Sequence, residues 1–316
     1  GVGTGMCLTA LLAVGVGLLL GGLSAMRCGL KRMFSPVLAR LLGQLTLTPG
    51  RGLAAGAVGA ALLQSSTALT LITVGLVSAD YLSFYQGLGL VLGANIGTCT
   101  TVGLLAIAPP PGCLLPLAAA GAAAAAFCQR LRYPAMAAGG VLAMFAGMNM
   151  VAEAVAGFSE AETVVRLLAE AGKSPLAGIG GGILLTFLLQ SSSAATGLLM
   201  ALADQGAIGL PAAAYGVYGN NIGSCLSSVL VGAAAPLAAR RVAMAHIVLN
   251  VAGVLVFLPF TPLLTGAAAA VTDDFAGRVA AMHALFNIVS SLAVLPAVRL
   301  FASLIVFLVP GRRSEV

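Results

Sequence analysis

Two short polar motifs each occur twice in this sequence, and both pairs are separated by the same 126 residues. Gln64-Ser65-Ser66-Thr67 recurs as Gln190-Ser191-Ser192-Ser193, and Asn95-Ile96-Gly97-Thr98-Cys99 recurs as Asn221-Ile222-Gly223-Ser224-Cys225. Within each copy the Gln and the Asn stand 31 residues apart. One polar cluster in an apolar segment commonly serves as hydrogen-bonding glue between helices. Two unrelated motifs sharing one offset need a common cause, and duplication of a functional unit supplies it. Each copy lies in apolar sequence, where irregular backbone is tolerated only if it is buried in protein or lines a cavity.

Composition places the duplicated unit in a membrane. Hydrophobic residues make up 60% of the 316 and charged residues 8%, against about 25% charged in a soluble domain. The mean hydropathy is +1.08. Apolar stretches near the roughly 20 residues that cross a bilayer recur from end to end. A net charge of +6 therefore needs no nucleic-acid partner, because basic loops on one face of a membrane account for it. The six cysteines show no CxxC spacing and the two histidines are too few for a metal cluster. Gly1-Val2-Gly3-Thr4-Gly5, without an initiator Met, is read as a cloning remnant and set aside.

The charges predict the topology. Spans fit near 6–25, 84–107, 113–129, 134–152, 207–234, 242–260 and 280–303. Re-entrant hairpins fit near 52–78 and 176–203, each with its Gln-Ser-Ser in the middle. Arg27, Lys31, Arg32, Arg40, Arg51, Arg130, Arg132, Arg240, Arg241, Arg299, Arg312 and Arg313 then share one side. Only Arg166, Lys173 and Arg278 fall on the other, with Glu153, Glu160, Glu162, Glu170, Asp273 and Asp274. Basic residues mark the cytoplasmic face. An odd number of spans separates the two copies, which gives them opposite topology, the inverted-repeat plan of secondary transporters. The expected fold is an all-α polytopic membrane protein of two inverted-topology repeats, each with a re-entrant helical hairpin and a broken transmembrane helix. Residues 1–152 would hold repeat 1 and the lead-in span of repeat 2, and 153–316 the remainder of repeat 2. Residues 31–46 set Met33, Phe34, Val37, Leu38, Leu41 and Leu42 against Arg and Lys, which predicts an amphipathic helix on the cytoplasmic surface.

A broken hairpin tip has defined electrostatics. The second half-helices, starting near Thr67 and Ser193, present N–H groups and partial positive charge that suit an anion. The first half-helices end in carbonyls near Gln64 and Gln190 that suit Na⁺. Hydroxyls and amides serve either ion. The glycines of the two Asn-Ile-Gly segments permit an unwound turn, with Asn95, Thr98, Asn221 and Ser224 pointing inward. No Lys or Arg lies deep in a predicted segment, so an anion there would be balanced by dipoles and co-bound sodium. Cys99 and Cys225, the matched positions after each Asn-Ile-Gly, are expected to border the site within reach of thiol reagents.

These residues resemble the signature of the type II sodium–phosphate cotransporter family, a duplicated QSSS motif with each copy followed by an NIGT segment. The likeness covers roughly 52–300 and departs mildly at Thr67 and Ser224. It implies a sodium-coupled symporter importing inorganic phosphate by alternating access, with both hairpins and the NIG helices moving elevator-like against the other helices. By resemblance, Gln64, Ser65, Ser66, Thr67, Asn95, Thr98, Gln190, Ser191, Ser192, Ser193, Asn221 and Ser224 form the substrate and ion site. Sodium would be held by Gln64, Ser65, Asn95, Gln190, Ser191 and Asn221. No cofactor beyond the coupling sodium ions is expected. A homodimer in the inner membrane is expected, with lipid around it.

Other classes fit less well. An intramembrane serine enzyme needs an activated base beside Ser65 or Ser191. His246 and His283 sit near predicted span ends, within a repeated R-x4-H-x3-N pattern (Arg241, His246, Asn250; Arg278, His283, Asn287) whose spacing suits hydrogen bonds between helices. A channel would lack saturable, sodium-dependent uptake. The nearest alternative is a sodium symporter for another oxyanion or a dicarboxylate.

Overall fold

The computed structural model describes residues 2–107, 111–158 and 172–311, with the side chains of 2–4, 34–45 and 111 left out. The regular structure among these residues is helical throughout. In chain order the helices are α1 (Val2–Leu45), α2 (Pro49–Leu63), α3 (Ser66–Ser78), α4 (Phe84–Gly97), α5 (Cys99–Ala106), α6 (Leu114–Phe127) and α7 (Arg132–Phe158). They continue as α8 (Pro175–Leu189), α9 (Ser192–Asp204), α10 (Leu210–Ala233), α11 (Leu237–Phe257), α12 (Thr261–Val271), α13 (Phe275–Val294) and α14 (Val298–Leu308). Among the described residues, five stretches are long and apolar enough to cross a membrane: Gly5–Met33, Phe84–Ala106, Gln129–Gly157, Leu237–Val271 and Phe275–Val294.

Both expected hairpins are present as helix–turn–helix pairs, α2–α3 and α8–α9, broken at their Gln-Ser. Their entries match as well. Thr48 and Ser174 are N-caps whose hydroxyls accept from Arg51 N–H and Ala177 N–H, and each is followed by a proline. Proline at the first helical position costs nothing, because that N–H has no intrahelical partner anyway.

Four expectations need correction. The break expected in the second NIG helix is absent: α10 runs 24 residues without interruption. In the first copy it is a single residue, Thr98, between α4 and α5. Glycine permits unwinding but does not require it, and in α10 the Ser224 hydroxyl and Cys225 thiol donate back to the Asn221 carbonyl, a bond compatible with helix. The last expected span, 280–303, is two helices, α13 and α14, parted around Pro296, whose ring cannot continue a helix. The expected span at 113–129 is the 14-residue α6, about 21 Å long. At the N-terminus, the first span and the backbone of the amphipathic segment form one helix, α1; side chains 34–45 lie outside the described residues, as do Glu160, Glu162, Arg166, Glu170, Arg312 and Arg313.

The chain forms two compact units. One comprises Gly1–Met33, Val102–Asn220 and Thr261–His283; the other comprises Phe34–Thr101, Asn221–Phe260 and Ala284–Val316. In the first unit, α1 lies backbone to backbone on α7. Gly15, Gly22 and Gly29 form a stripe with a seven-residue spacing against Gly147, Gly140 and the backbone around Tyr133 and Ala137. Between helices in lipid, where apolar burial gives little driving force, such close approach by small residues is what holds them. Close packing also occurs where Gly121, in the alanine-rich 118–126 run of α6, meets Gly139 of α7. In the second unit, α2, α3, α4, α11 and α14 enclose a core that includes Leu63, Leu69, Leu90, Val242, Leu249 and Ile305.

Glycines also seat each hairpin on its NIG helix, at the motif offset of 126 residues. Gly93 of α4 lies against the Leu53 carbonyl and Gly56 of α2; Gly219 of α10 lies against the Ile179 carbonyl and Gly182 of α8.

Candidate functional site

The first hairpin turn is fixed by backbone hydrogen bonds. Gln64 takes a left-handed conformation (φ 51°), and its N–H donates to the Ala61 carbonyl while Ser65 N–H donates to the Ala60 carbonyl. This is a helix-ending motif that usually places glycine at the left-handed position. A glutamine there costs about 1–3 kcal/mol and persists where its surroundings over-determine it. Gln190 repeats the conformation at φ 52°. Ser65 and Ser191 are then extended and cap the second half-helices, their hydroxyls accepting from Ala68 N–H and Ala194 N–H. A helix start leaves its first four N–H groups without intrahelical partners. The serine cap takes one, and the rest of each end keeps the partial positive charge that favours an anion.

The glutamine amides fold back on the helices they end. Gln64 Nε2 donates to the Ala61 carbonyl and, at 3.1 Å, to Thr100 Oγ1; Gln190 Nε2 donates to the Phe187 carbonyl. The carbonyls expected to face Na⁺ therefore already accept from the turn, and an ion there would use their remaining lone pairs.

Eight of the twelve expected residues belong to the second unit: Gln64, Ser65, Ser66, Thr67, Asn95, Thr98, Asn221 and Ser224. Thr67 Oγ1 donates to the Ser224 carbonyl at 3.4 Å, so the first QSST turn meets the second NIG segment directly. Asn250 of α11 then ties the two NIG segments together. It accepts from Asn95 Nδ2 at 3.3 Å, and its own Nδ2 lies 3.3 Å from Cys225 Sγ. His246 Nδ1 pairs with Ser228 Oγ at 3.0 Å. In its first copy the histidine pattern thus joins helices, and the His246 Nδ1 is paired with Ser228 rather than with a motif serine.

The other four expected residues, Gln190, Ser191, Ser192 and Ser193, lie in the first unit with two residues the sequence reading passed over. Asn220, fully buried, sets its amide between Thr186 Oγ1 (3.2 Å) and Thr196 Oγ1 (3.1 Å), bracing both arms of the second hairpin from α10. Position 94, the equivalent in the first copy, is alanine. Arg27 of α1 sets Nη2 at 3.5 Å from Ser193 Oγ. An arginine therefore reaches a site expected to contain none, because the apolar stretch runs on to Met33 rather than ending at residue 25.

The two cysteines differ. Cys225 is fully buried, its Sγ donating to the Asn221 and His246 carbonyls, while Cys99 is part-exposed. The expectation that reagents reach both is thus corrected for Cys225. In single-cysteine variants, maleimide should modify Cys99 of the native protein and leave Cys225 unmodified until denaturant is added. Equal native rates, read by mass spectrometry, would contradict the packing.

A family model described as Na⁺/Pi-cotransporter matches this chain twice, over residues 18–153 and 143–285. The chain belongs to the Na⁺/Pi-cotransporter family. That family is one of transporters rather than enzymes, and the chain is an all-helical, multi-pass membrane protein of it. It is similar to the uncharacterized protein YqeW of Bacillus subtilis (strain 168), 33% identical over 301 residues, which cover 93% of this chain and 95% of YqeW. It is also similar to YjbB of Escherichia coli (strain K12), named as a candidate inorganic phosphate export protein. There the identity is 30% over 287 residues, 90% of this chain and 52% of YjbB. YjbB of Salmonella typhimurium (strain LT2) is 29% identical over 291 residues, 91% of this chain and 53% of that protein. The chain spans about half the length of these YjbB relatives. No solved structure matches it.

Proposed function

We propose that the chain is a sodium-coupled symporter that imports inorganic phosphate across the cell inner membrane by alternating access. Phosphate would sit at the N-terminal ends of α3 and α9, held by the QSS hydroxyls and by Asn95, Thr98, Asn221 and Ser224. Sodium would sit beside it, using Gln64, Ser65, Asn95, Gln190, Ser191 and Asn221. Two inverted repeats, divided near residue 152, would carry the hairpins elevator-like within a homodimer. The observation that most supports this reading is the paired left-handed Gln followed by a capping Ser. It builds two helix starts of the same design, each suited to an anion. Direction follows from coupling, because a sodium gradient directed inward drives a symporter inward. The YjbB relatives are named for export, so both directions belong in the test.

The full chain would be reconstituted in proteoliposomes and assayed with labelled phosphate under sodium and potassium gradients of either sign. Saturable uptake along the sodium gradient, inhibited by arsenate more than by sulfate or succinate, is the expected result. Uptake indifferent to sodium would refute the coupling, and preferential inhibition by succinate would reassign the substrate to dicarboxylates. Single cysteines replacing the exposed Arg130 and Asp273 should label from opposite sides of the membrane if the repeats are inverted.

A further inference from the structure

We infer that Arg27 is the fixed cation of the anion site at the second QSS turn, pairing with the transported oxyanion. This rests on the phosphate-symport reading above and adds to it a residue that neither motif contains. Arginine inside an apolar span is costly, and by default it marks a substrate path. Here its direction is informative. The glycine stripe against α7 fixes the rotation of α1, and Leu23 and Met26 beside Arg27 are fully buried. Arg27 follows Leu23 by one turn and so shares its inward face. Side chains on a helix lean toward its N-terminus. The guanidinium lies against Ser193 of α9, with Nη2 3.5 Å from Oγ, whereas Lys31 and Arg32 at the end of the same apolar stretch are exposed. A snorkelling arginine would instead keep its charged head in water.

Ser193 is 1% exposed and sits in the first turn of α9, directly after Ser191 and Ser192. A guanidinium there brings a planar fork of donors matched to two oxygens of a tetrahedral oxyanion, to the helix end that already favours negative charge. The contact with Ser193 Oγ places the guanidinium beside this helix start. A permanent positive charge at this place favours the doubly over the singly charged form of phosphate, and it shares with sodium the task of balancing that charge.

The test uses the full chain in proteoliposomes with labelled inorganic phosphate, and wild type is also run with arsenate, sulfate and succinate. Arg27→Gln should raise KM for phosphate about 10- to 150-fold, the range for losing a hydrogen bond to a charged group, with thermal stability in detergent unchanged. It should also flatten the affinity gain between pH values below and above the second ionisation of phosphate. Arg27→Lys, which keeps the charge, should retain that pH dependence with a smaller rise in KM. Arg240→Ala, at an exposed arginine, serves as the control and should match wild type. Because Arg27→Gln could fail to fold, wild type is also treated with phenylglyoxal, and modification of Arg27 is read by mass spectrometry. Phosphate with sodium should slow that modification.

A well-folded Arg27→Gln with unaltered KM and pH dependence overturns the inference while leaving phosphate symport standing. So does phenylglyoxal modification of Arg27 that ligands do not slow, or no modification at all. Wild type that takes up none of the four anions overturns the transport reading itself, and this inference with it. The same variants are compared in phosphatidylcholine liposomes with and without phosphatidylglycerol. An Arg27 effect seen only with the anionic lipid would assign the guanidinium to a lipid headgroup phosphate and overturn the proposal.

Discussion

Ser66→Ala and Ser192→Ala are each expected to weaken phosphate binding about 10- to 150-fold, the consequence of losing a hydrogen bond worth about 1.5–3 kcal/mol to a charged group. The structure explains why these two serines, among the three hydroxyls of each turn, give the clean test. Ser65 and Ser191 spend their hydroxyls capping α3 and α9. Their alanine variants lose a cap worth about 1 kcal/mol, so reduced stability would accompany reduced affinity. In the first copy, Thr67 donates to the Ser224 carbonyl, so replacing it loosens the contact between turn and NIG helix. Ser66 and Ser192 open the two helices, at the end where an anion would sit. Their variants should therefore fold normally, keep their unliganded melting temperature, and show raised KM for phosphate. Sodium dependence should move in the same sense, because two ligands that favour each other's binding are coupled reciprocally. Lowered stability with normal affinities would instead assign these hydroxyls to packing, and the QSS turns would no longer be the site.

Much of the architecture was legible because the decisive signals were local and doubled. The hairpins read at 52–78 and 176–203 are Pro49–Ser78 and Pro175–Asp204 in the structure. The motif offset located them, and the charge distribution argued for hairpins rather than full spans. What escaped had no distinctive composition. Pro296 divides α13 from α14, yet the flanking residues are apolar, so a hydropathy window passes over it. Arg27 reads as the end of a span, because a charge among apolar residues ordinarily marks the membrane boundary; only the continuation of α1 and the rotation imposed by α7 bring it to Ser193. Asn220 stood next to a chosen residue, but its role depends on Thr186 and Thr196, which are far from it in sequence. The seating glycines did carry a signal. Gly52, Gly56 and Gly93 recur as Gly178, Gly182 and Gly219 at the offset of the motifs, and extending the repeat comparison beyond its polar positions would have found them.

Those glycines carry the prediction with the largest effect on folding. A Cβ at Gly93 would meet the Leu53 carbonyl, with Ala57 N at 2.6 Å and Gly56 Cα at 2.8 Å; a Cβ at Gly219 would meet the Ile179 carbonyl, with Gly182 Cα at 2.9 Å. Every one of these neighbours is backbone. A side-chain neighbour could change rotamer, whereas here the whole hairpin must move off its NIG helix. Overpacking a well-fitted core costs typically 1–3 kcal/mol, and contacts this close to main chain belong at or above the upper end of that range. Gly93→Ala and Gly219→Ala should therefore lower the yield of folded protein and its melting temperature. Surviving molecules should transport poorly if the QSS turns act as proposed, because displacing a hairpin from its seat displaces its turn. Neighbouring glycines supply the control. Gly181 and Gly75 face open space, with nothing within 4 Å of an added Cβ. Alanine at either position should be neutral or stabilise by up to about 1 kcal/mol, from the higher helix propensity of alanine. The adjacent pair Gly181 and Gly182 makes the sharpest comparison, since composition and position in α8 are nearly identical and only the direction of the Cβ differs. If Gly182→Ala melts like Gly181→Ala, the second hairpin is not seated on α10 through that surface, and the close packing derived for both repeats fails with it.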